Sequence, residues 1–253
     1  MQRGLTVEVS LGALRENLKT ISNHTGVPVI AVVKADAYGH GMVEVSRALE
    51  EEGVYALGVA FLDEAIRLRE AGIKAQIIVF FDTELSEEFV EYNLVPVVNA
   101  TGQIKKLASL ARKYSRQIPC HINVDTGMGR TGIWYEEVKD LLSEVLSTKE
   151  IKVAGLMSHF SEADLPGSEH TNLQIRRFKD VKKLFHNAGI NPVCHMANSW
   201  AVINYPESFF DATRVGLILY GGLNPEGLPI KPVMTVKAPI LQIRKLPTGI
   251  PVS

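Results

Sequence analysis

Five polar side chains with catalytic or binding chemistry stand where apolar runs of this sequence end. They are Lys34, Arg130, His159, Ser199 and Arg214. In sheets built from strand–helix units, ligands bind at the carboxyl ends of the strands, so these side chains are expected to converge there. An amine, two guanidinium groups, an imidazole and a hydroxyl together suit one anionic, planar ligand. The set predicts a binding site that no member predicts alone.

Lys34 follows the apolar run 29–33 and precedes a turn that contains Gly39 and Gly41. Five apolar residues in succession are typical of a strand buried on both faces. A lysine at the end of such a strand is either an exposed cation or an activated amine. Activation requires that the amine be neutral when needed, and burial beside other cations supplies that condition.

Arg130 lies among three glycines after the run 118–124, and Gly127 and Gly129 permit backbone conformations that expose it at the strand end. A guanidinium there suits a carboxylate, although a tight turn with a solvated arginine has the same sequence. His159 follows the run 151–157 and is a candidate base, stacking ring or structural histidine. No pair of histidines has the spacing of a metal motif, so we expect no catalytic metal.

Asn198 and Ser199 stand between a predicted strand and a short predicted helix. Such residues bind phosphate at some helix starts and at others only cap the helix. Arg214 and Gly216 follow the last predicted barrel strand, and Gly216 would allow close approach of the backbone. Because the loops after strands seven and eight are the usual phosphate site of barrels, these residues predict one.

Alternating apolar runs and amphipathic segments indicate the elements that would position these groups. Strands are predicted at 7–10, 29–33, 55–59, 76–81, 95–98, 118–124, 151–157, 192–196 and 211–214. Helices are predicted from residue 11 to about 21, at 41–52, 62–70, 86–92, 101–112, 135–146 and 171–187, and briefly after 198. About eight strands after residue 28 predict an α/β fold, a closed (β/α)8 TIM-like barrel, with an open doubly wound sheet as the alternative.

Composition narrows the class of partner. The 253 residues include 27 Lys and Arg against 28 Asp and Glu, a net charge of −1, which favours a small-molecule partner over nucleic acid. No window approaches the ~18 apolar residues of a membrane span and no signal peptide is visible, so a cytoplasmic location is expected. Cys120 and Cys194 are far apart, and we expect two buried free thiols.

The last residues differ from the barrel pattern. The segment 232–246, most clearly 238–246, alternates apolar and polar residues as a half-buried antiparallel strand does, without a helical crossover before it. We therefore expect a barrel domain at 1–231 and the start of a β-rich second domain at 232–253. A turn signal at 247–249 would normally lead into a further strand, so this second domain is expected to be truncated.

Several motifs together resemble the fold-type III pyridoxal phosphate enzymes, and specifically the alanine racemase family, over essentially the whole chain. They are VVKADAYGHG at 32–41, DTGMGR at 125–130, SHF at 158–160, ANS at 197–199 and RVGLILYG at 214–221. The resemblance implies pyridoxal phosphate-dependent interconversion of L-alanine and D-alanine by a homodimer, which supplies D-alanine for peptidoglycan. The alternatives are a broad-specificity amino-acid racemase and a pyridoxal phosphate-binding barrel without turnover.

The resemblance also implies roles for individual residues. Lys34 would hold pyridoxal 5′-phosphate covalently and then act as base on one face of the substrate Cα, while Arg130 would orient the substrate carboxylate and the phenolic oxygen of the cofactor. The other implied cofactor contacts are Tyr38, Ser199, Gly216 and Leu217 at the phosphate, His159 against the pyridine ring, Asn198 beside the site, and Arg214 at the pyridine nitrogen. Because arginine keeps its proton, that nitrogen would stay uncharged, which favours racemisation over transamination.

Two departures from the family pattern matter. Many members have a carbamylated lysine where this sequence has Asn123, whose amide cannot be carbamylated, so a bound anion such as chloride, or water, would position Arg130 instead. The family's second base is a tyrosine of the β-rich domain, supplied by the partner subunit and preceded by residues like Val252 and Ser253. The 253-residue chain alone is therefore expected to be inactive or very weak.

Overall fold

The computed structural model describes residues 4–251. Eight parallel strands form a nearly closed barrel. In their order around it they are β2 (Val29–Val32), β3 (Ala56–Val59), β4 (Ile77–Val79), β5 (Val95–Val98), β6 (Ile118–Asp125), β8 (Ile151–Met157), β9 (Val193–His195) and β10 (Thr213–Val215), and β10 pairs with β2. A single bridge between His195 and Ala212 joins β9 to β10. The other strands of the described chain are β1 (Thr6–Val9), β7 (Ile133–Trp134), which pairs with β6, and β11 (Met234–Lys237). The predicted TIM-like barrel is confirmed, and the open sheet is excluded.

Amphipathic helices cover the outside of the barrel and agree with the predicted segments to within a few residues. They are Leu11–Thr25, Met42–Glu51, Leu62–Glu70, Glu88–Glu91, Gly102–Lys113, Val138–Ser147, Glu169–Asn187 and Ser199–Asn204. The first helix shows how the sequence sets its limits. The Ser10 side chain accepts a hydrogen bond from the Ala13 N–H at 3.2 Å, and Gly26, with φ of 66°, ends the helix.

Side chains of the barrel strands alternate between two apolar layers. Ile30 and Val32 of β2 point into the barrel, where they pack with the buried Met157 of β8. Ala31 and Val33 belong to the larger cluster between the strands and the helices. Both faces are therefore buried, which explains why the strands read as continuous apolar runs.

Two further features bear on the sequence predictions. Cys120 and Cys194 are both buried free thiols, as predicted. None of the helices within residues 4–251 is both long enough and apolar enough to cross a lipid bilayer.

The predicted antiparallel strand exists within 232–246 but not at 238–246. It is β11, which pairs with β1 in a separate two-stranded sheet. The structure assigns no strand to 238–251. Pro239 cannot donate a backbone hydrogen bond, and Ile240, Leu241 and Ile243 are 78–84% exposed, so this segment buries no apolar face. The prediction of a strand at 238–246 is therefore wrong, whereas the division into domains at residue 231 stays a prediction.

Candidate active site

A cavity of about 220 Å³ opens at the carboxyl ends of the barrel strands. All nine site residues predicted from the sequence line it, which are Lys34, Tyr38, Arg130, His159, Asn198, Ser199, Arg214, Gly216 and Leu217. Asn123 also lines it, together with Phe80, Phe81, Thr131 and Trp200, which the sequence analysis did not single out. The expected convergence of strand ends on one site is confirmed, while the roles of the individual residues stay predictions.

The backbone after Lys34 forms a left-handed turn. Ala35, Asp36, Ala37 and Tyr38 have φ between 52° and 56°, a conformation that costs about 1–2 kcal/mol for each non-glycine residue. Hydrogen bonds within the motif offset this cost. The Ala37 N–H donates to the Val33 carbonyl at 2.8 Å, and the Asp36 carboxylate accepts from the Met42 N–H at 3.0 Å. The turn carries Tyr38 back over the cavity that Lys34 enters.

One end of the cavity is lined by hydroxyl groups and a turn of backbone. Ser199 Oγ accepts hydrogen bonds from the N–H groups of Gly216 at 3.3 Å and Ile218 at 3.2 Å. A Cβ at residue 216 would lie 2.5 Å from Tyr38 Oη, so only glycine lets that phenol approach the turn. The Asn198 side chain accepts from the Ala201 N–H at 3.0 Å and thereby caps the short helix.

Arg214 is 5% exposed and uses its two Nη groups as hydrogen-bond donors to the protein. Nη1 donates to Nδ1 of His195 at 2.8 Å and to its carbonyl at 3.3 Å. Nη2 donates to the Ser158 carbonyl at 2.8 Å and to Nδ1 of His159 at 3.0 Å. An arginine has five N–H donors, and among the described residues Nε–H has no acceptor. That donor is available to a ligand in the cavity.

These contacts define the tautomers of three histidines. Because arginine cannot accept, Nδ1 of His159 and of His195 must be unprotonated acceptors. His195 then donates from Nε2 to Nδ1 of His121, 2.9 Å away. The His121 ring lies against Gly155, where any Cβ would collide with it. The result is a chain of hydrogen bonds from Arg214 through His195 to His121 beneath the cavity.

Burial keeps these three imidazoles neutral. It lowers the pKa of His121 and of His159 to about 3, helped by the charge of Arg214. The pKa of His195 lies well below its ordinary value for the same reasons. Burial also lowers the pKa of Arg214 to about 10, which still leaves its guanidinium charged at neutral pH. Arg214 is therefore charged, whereas the three histidine rings are neutral.

Asp125 explains the spacing of the glycines before Arg130. Its buried carboxylate accepts the N–H groups of Gly127, Met128 and Gly129, each at 2.9 Å. Three backbone donors on one carboxylate fold the loop tightly at the end of β6, from which Arg130 reaches the cavity.

The helix Glu169–Asn187 holds the same loop from the other side. Arg177 donates to the Thr126 carbonyl at 2.8 Å, and His170 Nε2 lies 3.0 Å from the Gly127 carbonyl oxygen. Gln174 donates to the His159 carbonyl at 3.0 Å, so one helix face contacts the loops of both Arg130 and His159. Sequence spacing alone does not show this support, since it depends on how the helix packs.

Phe81 lies between the two cationic groups at the other end of the cavity. Its ring centroid is 5.5 Å from Lys34 Nζ and 5.7 Å from Arg130 Cζ. Asn123 is buried, and its amide donates to Asn99 Oδ1 at 2.8 Å and to Thr131 Oγ1 at 3.3 Å. Asn123 thus contacts the residue after Arg130. Val252 and Ser253, which the sequence analysis placed before a second base, lie outside the described residues.

The charged side chains that line the described part of the cavity are all cationic. Lys34, Arg130 and Arg214 line it, and its described lining contains no carboxylate. Burial, followed by the charge of Arg130, lowers the pKa of Lys34 and so favours a neutral amine. The site therefore suits an anionic ligand that reacts with an amine.

Comparisons with known proteins agree with this arrangement. A family model described as "Alanine racemase, N-terminal domain" matches residues 9–224. The alanine racemase of Thermodesulfovibrio yellowstonii is 45% identical over 258 residues, which span 100% of this chain and 69% of that protein.

Solved structures show the same fold. The alanine racemase of Streptomyces lavendulae superposes with a TM-score of 0.92 at 31% identity, covering 100% of this chain and 70% of that one. The Bartonella henselae enzyme, solved with covalently bound pyridoxal phosphate, gives 0.86 at 27% identity over 98% of this chain and 70% of that one. On this likeness of sequence and structure, the chain belongs to the alanine racemase family.

Proposed function

We propose that this chain forms the pyridoxal phosphate-binding barrel of an alanine racemase and that Lys34 is one of its two bases. The observation that carries the proposal is the single cavity in which one half-buried lysine meets two arginines, a neutral histidine and a hydroxyl-lined turn. Membership in the family supports the reaction, and the chemistry of the cavity lining supports the cofactor.

The residues present fit this cofactor. Tyr38, Ser199 and the backbone of Gly216 and Leu217 would hold its phosphate, where glycine at 216 leaves the space that a Cβ would fill. Arg214 would donate its unpaired Nε–H to the pyridine nitrogen. His159 and Asn198 would flank the bound group, and Lys34 would provide the covalent link.

Lys34 and Arg130 would act on the substrate. Pyridoxal phosphate, when bound, supplies an electron sink for the carbanion left by removal of the Cα proton. The neutral amine of Lys34 accepts that proton to become an ammonium group and can return it to the same face of Cα. Arg130 pairs with the substrate carboxylate and holds Cα within reach of the amine.

Arg214 would limit the reaction to racemisation. Its guanidinium would donate a hydrogen bond without transferring its proton, which would leave the pyridine nitrogen uncharged and weaken the electron sink that the cofactor supplies. The hydrogen bonds to His195 and His159 hold the guanidinium in that orientation. A weaker electron sink would favour prompt return of the proton to Cα, and with it the interconversion of the two alanine enantiomers.

The opposite face of Cα needs a second base. Among the described residues lining the cavity, Lys34 is the one lysine and Tyr38 the one tyrosine, and Tyr38 belongs to the phosphate end. As the resemblance implies, we assign the second base to a tyrosine of a β-rich domain in a partner subunit. Homodimer formation, D-alanine supply for peptidoglycan and a cytoplasmic location are parts of the same proposal.

Deuterium exchange tests the proposal. We expect the 253-residue chain, loaded with pyridoxal phosphate in D₂O, to introduce deuterium at Cα of one alanine enantiomer at least about tenfold faster than the other enantiomer appears. NMR spectroscopy follows the exchange, and chiral chromatography follows the racemisation. Comparable exchange of larger amino acids would instead indicate a broad-specificity racemase.

Two results would contradict the proposal. Equal rates of exchange and racemisation would show that this chain contains both bases. Binding of the cofactor without any exchange would support a non-catalytic barrel.

A further inference from the structure

A carboxylate outside the cavity contacts the backbone beside Lys34. Glu64 lies in the first turn of the helix Leu62–Glu70, which follows β3, the neighbour of β2. Its Oε1 accepts a hydrogen bond from the Ala35 N–H at 2.6 Å. Its Oε2 accepts from the Ala60 N–H at 2.7 Å. One carboxylate therefore ties the residue after Lys34 to the end of the adjacent strand.

Glu64 makes a contact that an ordinary helix-capping glutamate does not make. A glutamate three residues after a helix start commonly accepts the N–H at that start, and Glu64 does so weakly with Phe61 at 3.4 Å. Its other oxygen crosses to Ala35, the first residue of the left-handed turn, with φ of 52°. A charge-assisted hydrogen bond at this point stabilises a conformation that non-glycine residues disfavour. This conformation begins directly after Lys34.

Glu64 is negatively charged, whereas the other two charged residues that affect the Lys34 amine, Arg130 and Arg214, are positively charged. Arg130 lines the same cavity as Lys34 from the loop after β6, and Arg214 lines it from β10. Burial, Arg130 and Arg214 lower the pKa of Lys34, whereas Glu64 raises it. Glu64 therefore opposes both arginines.

Within residues 4–251, the other groups near Lys34 contribute no unpaired charge. His159 is neutral, because burial lowers its pKa to about 3. Phe81 presents a ring 5.5 Å from Nζ. On the left-handed turn, Asp36 pairs with Arg67 at 3.5 Å, and burial raises the pKa of Tyr38, which keeps its phenol protonated.

We propose that Glu64 is a positioning residue for Lys34, which fixes the peptide after it and balances the two arginines at its amine. The inference rests on the proposed role of Lys34 as a base. The amine must accept a proton from Cα and hold it as ammonium until it returns. Two guanidinium groups disfavour that ammonium, and the carboxylate of Glu64 stabilises it.

The test measures the Lys34 amine directly. Glu64→Gln removes the charge but keeps an oxygen that can accept from Ala35. In the cofactor-free chain, acetylation of Lys34 by acetic anhydride is quantified by peptide mass spectrometry as a function of pH. At a pH where the amine is mostly protonated, we expect labelling of Lys34 to be roughly three- to tenfold faster in the variant. Glu70→Gln, which removes an exposed charge from the same helix, should leave the rate unchanged.

A second variant separates charge from position. Glu64→Asp keeps the charge but shortens the side chain, so labelling should stay near the wild-type rate while hydrogen exchange of the Ala35 amide accelerates several-fold. Equal labelling of Lys34 in wild type and Glu64→Gln would overturn the proposal. If Glu64→Gln does not fold, unchanged exchange at Ala35 in Glu64→Asp would overturn it. Neither measurement uses cofactor or substrate, so this inference and the proposed racemase function fail separately.

Discussion

Lys34→Ala is expected to lower deuterium exchange at the Cα of alanine by at least about a thousandfold in the pyridoxal phosphate-loaded chain. The variant loses both the covalent link to the cofactor and the group that accepts the Cα proton. No other lysine lines the described part of the cavity, so none can replace it. NMR measurement of exchange under saturating cofactor gives the rate.

The matched control for this prediction is Lys179→Ala. Lys179 is exposed on the helix Glu169–Asn187 and does not line the cavity. Its exchange rate should stay within about twofold of wild type, because surface substitutions rarely affect stability. A Lys34→Ala rate within tenfold of wild type would show that Lys34 is not the base.

Acid is expected to destabilise the fold through His121 and His195. Both are buried and neutral in the folded chain, where burial lowers the pKa of His121 to about 3 and that of His195 well below its ordinary value. Unfolded imidazoles bind protons near pH 6.5, so these two rings together hold up to two more protons in the unfolded chain than in the folded one. The stability that these two neutral rings contribute is complete above about pH 6.5 and is lost as the pH falls toward 3, by as much as about 2.7 kcal/mol per pH unit for the pair.

Urea unfolding followed by circular dichroism at several pH values measures this dependence. In His121→Gln the amide oxygen can still accept from His195, and the slope between pH 6 and pH 5 should fall by about one proton, or about 1.4 kcal/mol per pH unit. His186 is exposed, so His186→Gln should leave the slope unchanged. The same slope in His121→Gln as in wild type would contradict the assignment of a buried neutral ring.

The barrel and the cavity lining were predictable because two simple signals agree. Each barrel strand is buried on both faces and therefore reads as an apolar run, and the polar residue after each run marks the edge where ligands bind. Lys34 and His159 each follow such a run, whereas Arg214 lies within β10 and not after it. The glycines before Arg130 indicated a tight loop, and the structure shows one, in which the Asp125 carboxylate accepts hydrogen bonds from three successive backbone N–H groups.

Features that depend on contacts between distant residues were not predictable in this way. Nothing local in Ala35, Ala37 or Tyr38 favours a left-handed turn. The contacts made there, from the Met42 N–H to Asp36 and from the Ala35 N–H to Glu64, are visible only in the structure. Glu64 has the sequence position of a helix cap, but its contact with Ala35 depends on the pairing of β2 with β3. The error at 238–246 has the same origin, since alternation alone does not provide a strand with a partner.

The most direct test of the account is to find where pyridoxal phosphate attaches. The loaded chain is reduced with borohydride, digested and analysed by peptide mass spectrometry, with Lys34→Ala as the control. The account predicts the cofactor adduct on the peptide that contains Lys34 and its loss in Lys34→Ala. An adduct on another lysine, or none despite saturating cofactor, would contradict the assignment of Lys34 as the residue that holds the cofactor and acts on the substrate.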